Sequence, residues 1–142
     1  MAVKRISPDE AHALLAAGHT YLDVRSVPEY AEGHPTGAHN APLMHMGAGG
    51  MSPNSEFLAV VAASYPKDAP LVIGCKSGGR SQRAAMLLEG AGFTNLVEMR
   101  GGFGGEYDGA GRLVQAGWVA AGLPTSREST AGGTWDDLKK KG

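Results

Sequence analysis

Residues 71–81 constrain this chain more than any other stretch. Leu71-Val72-Ile73-Gly74 is a short apolar run of the kind that forms a buried strand. Gln82-Arg83-Ala84-Ala85-Met86-Leu87-Leu88 reads as a helix. Only Cys75-Lys76-Ser77-Gly78-Gly79-Arg80-Ser81 lies between them, so the chain must pass from strand to helix through one tight loop. Gly78 and Gly79 permit that curl, including positive φ. Successive N–H groups in such a curl point into one concavity, and the following helix N-terminus adds partial positive charge. An anion or a thiolate is stabilised at the centre of this loop, and Cys75 is the residue that sits there. A cysteine used only for packing is a small buried hydrophobe. It needs no glycine pair, no flanking Lys76 and Arg80, and no helix start beside it. The loop therefore points to a nucleophilic sulfur.

The rest of the pattern supplies a scaffold. Residues 3–6 read as a short strand. Ser7-Pro8-Asp9-Glu10 is a helix start, with Ser7 as cap, Pro8 in the first turn and Glu10 completing a capping box. That helix runs through Leu14 and Leu15 and ends near Gly18. Residues 21–24 read as a strand, 26–32 as a short helix, and Ala38-His39 as a further extended piece. Asn54 is placed to cap a helix with Phe57, Leu58, Val60 and Val61 on its apolar positions, ending near Tyr65-Pro66. The helix after the cysteine loop runs to about Gly90, and residues 95–99 form a final strand. Strands alternating with helices predict an α/β fold with a mostly parallel sheet covered on both faces. Ligands in such folds bind beyond the carboxyl ends of the strands, where Cys75 is expected. Many of the 22 glycines fall at 47–50, in the cysteine loop and at 101–111. They have no fixed period and read as loops.

A length of 142 residues suits one domain. Residues 1–125 are read as that domain, 104–117 as an extended loop or hairpin-like excursion, and 126–142 as a tail that Trp135 and Leu138 anchor. With 13 basic and 14 acidic residues, nothing suggests a nucleic-acid or membrane partner. A single cysteine forms no internal disulfide and fits a reducing compartment. The first residues carry no long apolar stretch, so the expected location is cytoplasmic. His34, His39 and His45 match no common ligand spacing, and no metal site is expected. Met44, Met46 and Met51 are read as ordinary packing.

Three segments resemble the rhodanese family of sulfurtransferases in its single-domain form. The first is Tyr21-Leu22-Asp23-Val24-Arg25 with Glu29-Tyr30, Gly33-His34 and Gly37-Ala38-His39-Asn40-Ala41-Pro42. The second is the loop from Cys75 to Ser81. The third is Gly101-Gly102-Phe103 with Trp118 and Gly122-Leu123-Pro124. The resemblance implies a rhodanese-like three-layer fold. It implies transfer of a sulfane sulfur from thiosulfate or a similar small anionic donor to cyanide or a thiol, through a persulfide on Cys75, without metal or organic cofactor. It makes Lys76, Ser77, Gly78, Gly79, Arg80 and Ser81 substrate-binding, with Asp23 and Arg25 in support. Lys76 fits thiosulfate rather than mercaptopyruvate; its alternative is a solvated side chain at the loop rim. Arg80 either meets substrate or pairs with a carboxylate such as Glu29 or Asp23 to hold the loop. His34 is expected to hydrogen-bond within its own turn. Residues 104–117 depart from the shortest members, which place an aromatic sooner after the glycine pair.

Two other functions share some of these features. A phosphatase of the Cys-loop-Arg type uses the same anion-cradling logic, but its loop is one residue longer than the four between Cys75 and Arg80. A rhodanese-like carrier or binding domain would act with a partner protein, and an acceptor protein remains a candidate partner for the enzyme as well. The expected assembly is a monomer or weak homodimer.

Overall fold

Five strands make one parallel sheet, in the spatial order β1 (Lys4–Ile6), β8 (Leu96–Met99), β7 (Leu71–Gly74), β2 (Thr20–Asp23), β4 (His39–Asn40). This is a computed structural model that describes residues 3–47, 49–76 and 79–141. The helices are α1 (Pro8–Ala16), α2 (Val27–Glu32), α3 (Phe57–Ser64), α4 (Gly79–Gly90) and α5 (Trp135–Lys141). Three two-stranded ladders complete the described chain. They are β3 (His34–Pro35) with β11 (Thr125–Ser126), β5 (Met44–Gly47) with β6 (Gly50–Pro53), and β9 (Glu106–Tyr107) with β10 (Leu113–Gln115).

The central strand explains the layering. All four residues of β7 are buried, and the period of two sends Leu71 and Ile73 to one face and Val72 to the other. Leu71 and Ile73 join a core built with Phe57, Val61, Leu88 and Leu138, contributed by α3, α4 and α5. Val72 joins a second core with Ala11, Tyr21, Tyr30 and Trp118, on the side of α1 and α2. A strand buried on both faces must be continuously apolar, as Leu-Val-Ile-Gly is. Gly74 is required for space: a Cβ there would overlap the Tyr21 hydroxyl.

Local chemistry sets the helix starts. Ser7 accepts from the Glu10 N–H at 3.2 Å while Glu10 accepts from the Ser7 N–H at 3.1 Å, the reciprocal box expected from the sequence. Ser26 and Glu29 repeat the device at α2. Asn54 does something else. Helix α3 begins only at Phe57, and the Asn54 side chain instead accepts from the Glu56 N–H and donates to the Pro42 carbonyl. It ties the exit of the β5–β6 hairpin to its entry. The glycines at 47–50 therefore close an antiparallel hairpin rather than an open loop. Residues 104–117 form a second hairpin.

The C-terminal segment is part of the packing. Strand β11 pairs with β3, and α5 packs on α3, with Trp135 and Leu138 inside the larger core. Leu138 is fully buried, so Leu138→Ala should cost about 2–5 kcal/mol in urea-induced unfolding. A loss under about 0.5 kcal/mol, the usual size for a surface change, would mean that α5 does not share the cooperative core.

Candidate active site

Cys75 is the first residue past β7 and is 1% exposed. No ladder continues there, so its backbone needs other partners. They come from the segment after β8. The Phe103 N–H donates to the Cys75 carbonyl at 2.7 Å, and the Gly104 N–H to the Lys76 carbonyl at 2.8 Å. Gly102 lies so close that a Cβ would stand 2.5 Å from the Cys75 carbonyl oxygen, and its φ is +58°. Only glycine meets both conditions. The Gly102 carbonyl in turn accepts from the Trp118 N–H at 2.9 Å, and the Trp118 indole donates to the Pro124 carbonyl at 2.7 Å. Gly-Gly-Phe, Trp118 and Pro124 thus form one brace under the cysteine.

The sulfur faces inward. Cys75 Sγ donates to Ser81 Oγ at 3.4 Å, the Ser81 hydroxyl donates to Glu98 Oε2, and Arg5 Nε meets Glu98 Oε1 at 2.5 Å. Ser81 and Glu98 are buried. Ser81, read from the sequence as a substrate hydroxyl, is placed on the thiol and a carboxylate. Sequence reasoning missed Glu98 and Arg5. The signal was present, an acid inside the apolar run Leu96-Val97-Glu98-Met99, but its partner belongs to a strand more than ninety residues away.

The arginines act as struts. Arg80 Nη1 and Nη2 meet Glu29 at 2.7 and 3.0 Å, which is one of the carboxylate pairings considered above. Arg25 grips Asp23 through Nε and Nη2, donates to the Gly33 carbonyl at 2.6 Å and lies 4.4 Å from the Phe103 ring centre. Asn40 donates to the Asp23 and Arg25 carbonyls and fixes that turn. Burial opposes ionisation of Glu29, but the Arg80 guanidinium and the Ser26 N–H and hydroxyl outweigh it and hold the carboxyl down to about 2. The same ion pair raises the Arg80 guanidinium above its ordinary value.

Lys76 is exposed. It lines a cleft of about 210 Å³ with Arg25, Glu29, Glu32 and Phe103. Gly79 opens α4. Ser77 and Gly78 lie outside the described residues. The three histidines lie apart: His34 Nδ1 meets the Tyr30 carbonyl, His39 Nδ1 the Tyr65 hydroxyl, and His45 the edge of Trp135.

Residues 7–105 match the model of the rhodanese-like domain. The chain belongs to that family. It is 42% identical over 120 residues to thiosulfate sulfurtransferase 16, chloroplastic, of Arabidopsis thaliana, across 84% of this chain and 90% of that one. It is 38% identical over 100 residues to the thiosulfate sulfurtransferase GlpE of Pseudomonas entomophila, across 70% of this chain and 81% of that one. The crystal structure of Rv0390 from M. tuberculosis superposes with a TM-score of 0.74 at 28% identity, across 90% of this chain and all of that one.

The rhodanese strut has a pH signature. Glu29 ionises more readily folded than at its ordinary 4.5, so its contribution is full above 4.5 and fades as pH falls toward about 2. Glu29→Gln should destabilise the protein by about 1–2 kcal/mol at neutral pH. That difference should shrink steadily between 4.5 and 2 when urea midpoints are measured across the range. A pH-independent difference would show that the ion pair is not its source.

Proposed function

We propose that this rhodanese-family protein transfers sulfane sulfur from thiosulfate or a similar small anion to cyanide or a thiol, with Cys75 as the carrier. The observation that carries this reading is the position of Cys75 itself: just beyond the carboxyl end of the central strand, ahead of α4, and next in the chain to Lys76, which lines a cleft. In the first step the Cys75 thiolate attacks the outer sulfur of the donor. A new S–S bond forms as the donor's own S–S bond breaks, and sulfite leaves with the electron pair. In the second step the acceptor attacks the outer sulfur of the persulfide, and the Cys75 thiolate leaves. This is covalent, double-displacement chemistry. The partial positive charge at the N-terminus of α4, which opens at Gly79, favours the persulfide anion. Lys76 supplies positive charge for a dianionic donor.

The geometry favours this over phosphate chemistry on a specific ground. A Cys-loop phosphatase needs its loop arginine on the phosphoryl oxygens, whereas Arg80 spends both terminal nitrogens on Glu29. A sulfur so nearly buried also suits a small donor better than a bulky phosphoester.

Intact mass after incubation with thiosulfate should rise by about 32 Da, one sulfur, and fall back on addition of cyanide. Cys75→Ser should show no gain and keep its fold. Absence of the adduct in the wild type would favour the partner-dependent carrier or the phosphatase. Lys76→Ala should raise the KM for thiosulfate several-fold, as expected when one partly screened charge is removed, and leave an uncharged sulfane-sulfur donor, such as an organic trisulfide, unaffected. Equal changes for both donors would remove Lys76 from donor recognition.

A further inference from the structure

We propose that Glu32 is a specificity-determining residue of this site: together with Lys76 it selects, as the sulfur acceptor, a small thiol that carries an ammonium and a carboxylate on one molecule, the chemistry of an α-amino-acid thiol. Four charged side chains line the cleft that Lys76 borders: Arg25, Glu29, Glu32 and Lys76 itself. Two are already matched. Arg25 pairs with Asp23, and Glu29 with Arg80. Glu32 and Lys76 are exposed, and among the described residues neither has an ion-pair partner. The cleft therefore offers a ligand one charge of each sign.

The stability of its own helix does not explain Glu32. It is the last residue of α2, where a carboxylate meets the negative end of the helix dipole. A lysine or arginine would be favoured in that turn, and the last turn of α2 holds neither. Both walls that carry the two charges are fixed. Gly33, next to Glu32, accepts from Arg25 Nη2 at 2.6 Å, and a Cβ there would touch the Phe103 ring at 3.7 Å. Lys76 accepts from the Gly104 N–H at 2.8 Å, and its stem lies along Gly104. Phe103 and Gly104 give the cleft an uncharged lining for methylene groups. Its volume of about 210 Å³ is below the roughly 300–1,000 Å³ of sites for drug-sized ligands, which suits a ligand of amino-acid size.

Selection of an acceptor rests on the carrier role proposed for Cys75. In the second half-reaction the acceptor thiol gives its proton to water and its sulfur bonds to the outer sulfur of the persulfide. The S–S bond to Cys75 breaks, and its electron pair stays on Cys75 Sγ. Glu32 meets the acceptor's ammonium, and Lys76 its carboxylate. The same two residues act in opposite directions on the donor. Thiosulfate carries only negative charge, so Lys76 attracts it and Glu32 repels it. An acid on this wall weakens the cleft for thiosulfate alone; for a zwitterion it is a second contact. In a double displacement the donor and the acceptor enter in turn, so one cleft serves both.

Four small thiols offered as acceptors to the full chain read these charges. Free cysteine carries both, cysteamine the positive, mercaptopropionate the negative and mercaptoethanol neither. With thiosulfate saturating, each kcat/KM is taken relative to mercaptoethanol in the same variant, which removes changes common to all thiols. Glu32→Gln should lower cysteine and cysteamine by about two- to five-fold and raise kcat/KM for thiosulfate. Lys76→Ala should lower cysteine and mercaptopropionate by a like factor and spare cysteamine. The proposal is overturned if Glu32→Gln leaves cysteine and cysteamine in place or lowers mercaptopropionate with them, or if Lys76→Ala leaves cysteine in place. Alkylation of Cys75, the only cysteine, reads the same charges without sulfane sulfur. In Glu32→Gln, bromoethylamine should react more slowly and iodoacetate faster, each relative to iodoacetamide; unchanged ratios overturn the proposal. Should thiosulfate leave no sulfur on wild-type Cys75, the carrier reading fails, and the alkylation ratios alone decide whether Glu32 selects by charge.

Discussion

Two main-chain hydrogen bonds hold the site together, from the N–H groups of Phe103 and Gly104 to the carbonyls of Cys75 and Lys76. Strand β7 lies in the middle of a parallel sheet, and its ladder ends at Gly74. Past that point the backbone is still buried but has no strand beside it. An unpaired carbonyl there would cost about 1–3 kcal/mol, and the turn after β8 removes that cost for both. It does so only because Gly102 brings backbone against backbone. The backbone positions of Cys75 and Lys76 are therefore set partly by the segment after β8. The register of β7 on β8 is as much a part of the site as the loop itself.

Charge is used in the same structural way. Arg80 joins the start of α4 to α2, and Arg25 joins the end of β2 to the turn after α2. Each guanidinium is matched by a carboxylate, and each pair is more than four-fifths shielded from solvent. Planar bidentate pairs fix distance and orientation together. Their rigidity matters here more than their net energy, since buried ion pairs contribute little beyond the cost of desolvating them. With both arginines engaged, the attraction of the cleft for an anion falls to Lys76 and to backbone dipoles, and exposed Glu32 opposes it.

The sequence made the local parts of this plan readable. The capping box at Ser7, the apolar run of β7 and the glycine loop are all short-range signals. They locate the start of α1, the central strand and the loop that carries Cys75. For Arg80 the sequence leaves open contact with substrate or pairing with a carboxylate such as Glu29 or Asp23, and the structure supplies Glu29. What was not legible depended on contacts distant in sequence. Glu98 is an acid in an apolar strand, a signal that sequence reasoning passed over, and its meaning depends on Arg5 in β1 and Ser81 in α4. Asn54 has the composition of a helix cap and serves a hairpin instead, because Pro42 supplies a carbonyl that propensity does not reveal. The 47–50 glycines read as a loop, with no hint of the strands that flank it. Met-His-Met-Gly and Gly-Met-Ser-Pro are too short, and too broken by glycine and proline, to read as strands.

The two hairpins show why additions to this fold fall where they do. Helices cover both faces of the sheet, so an insertion in a strand or a core helix would disturb packing that tolerates little change in volume. Loops at the strand ends are under no such restriction. Hairpin β5–β6 follows β4, and β9–β10 follows β8, so both rise from the carboxyl end of the sheet, where Cys75 lies. Met51 of the first lies 3.8 Å from Arg80, and the second begins just beyond Gly104 on the cleft wall. The interior of the site is fixed by backbone bonds and ion pairs that cannot vary without loss of the loop. Its surroundings are made of the elements that can, and differences in what reaches the sulfur are therefore most readily built into the hairpins.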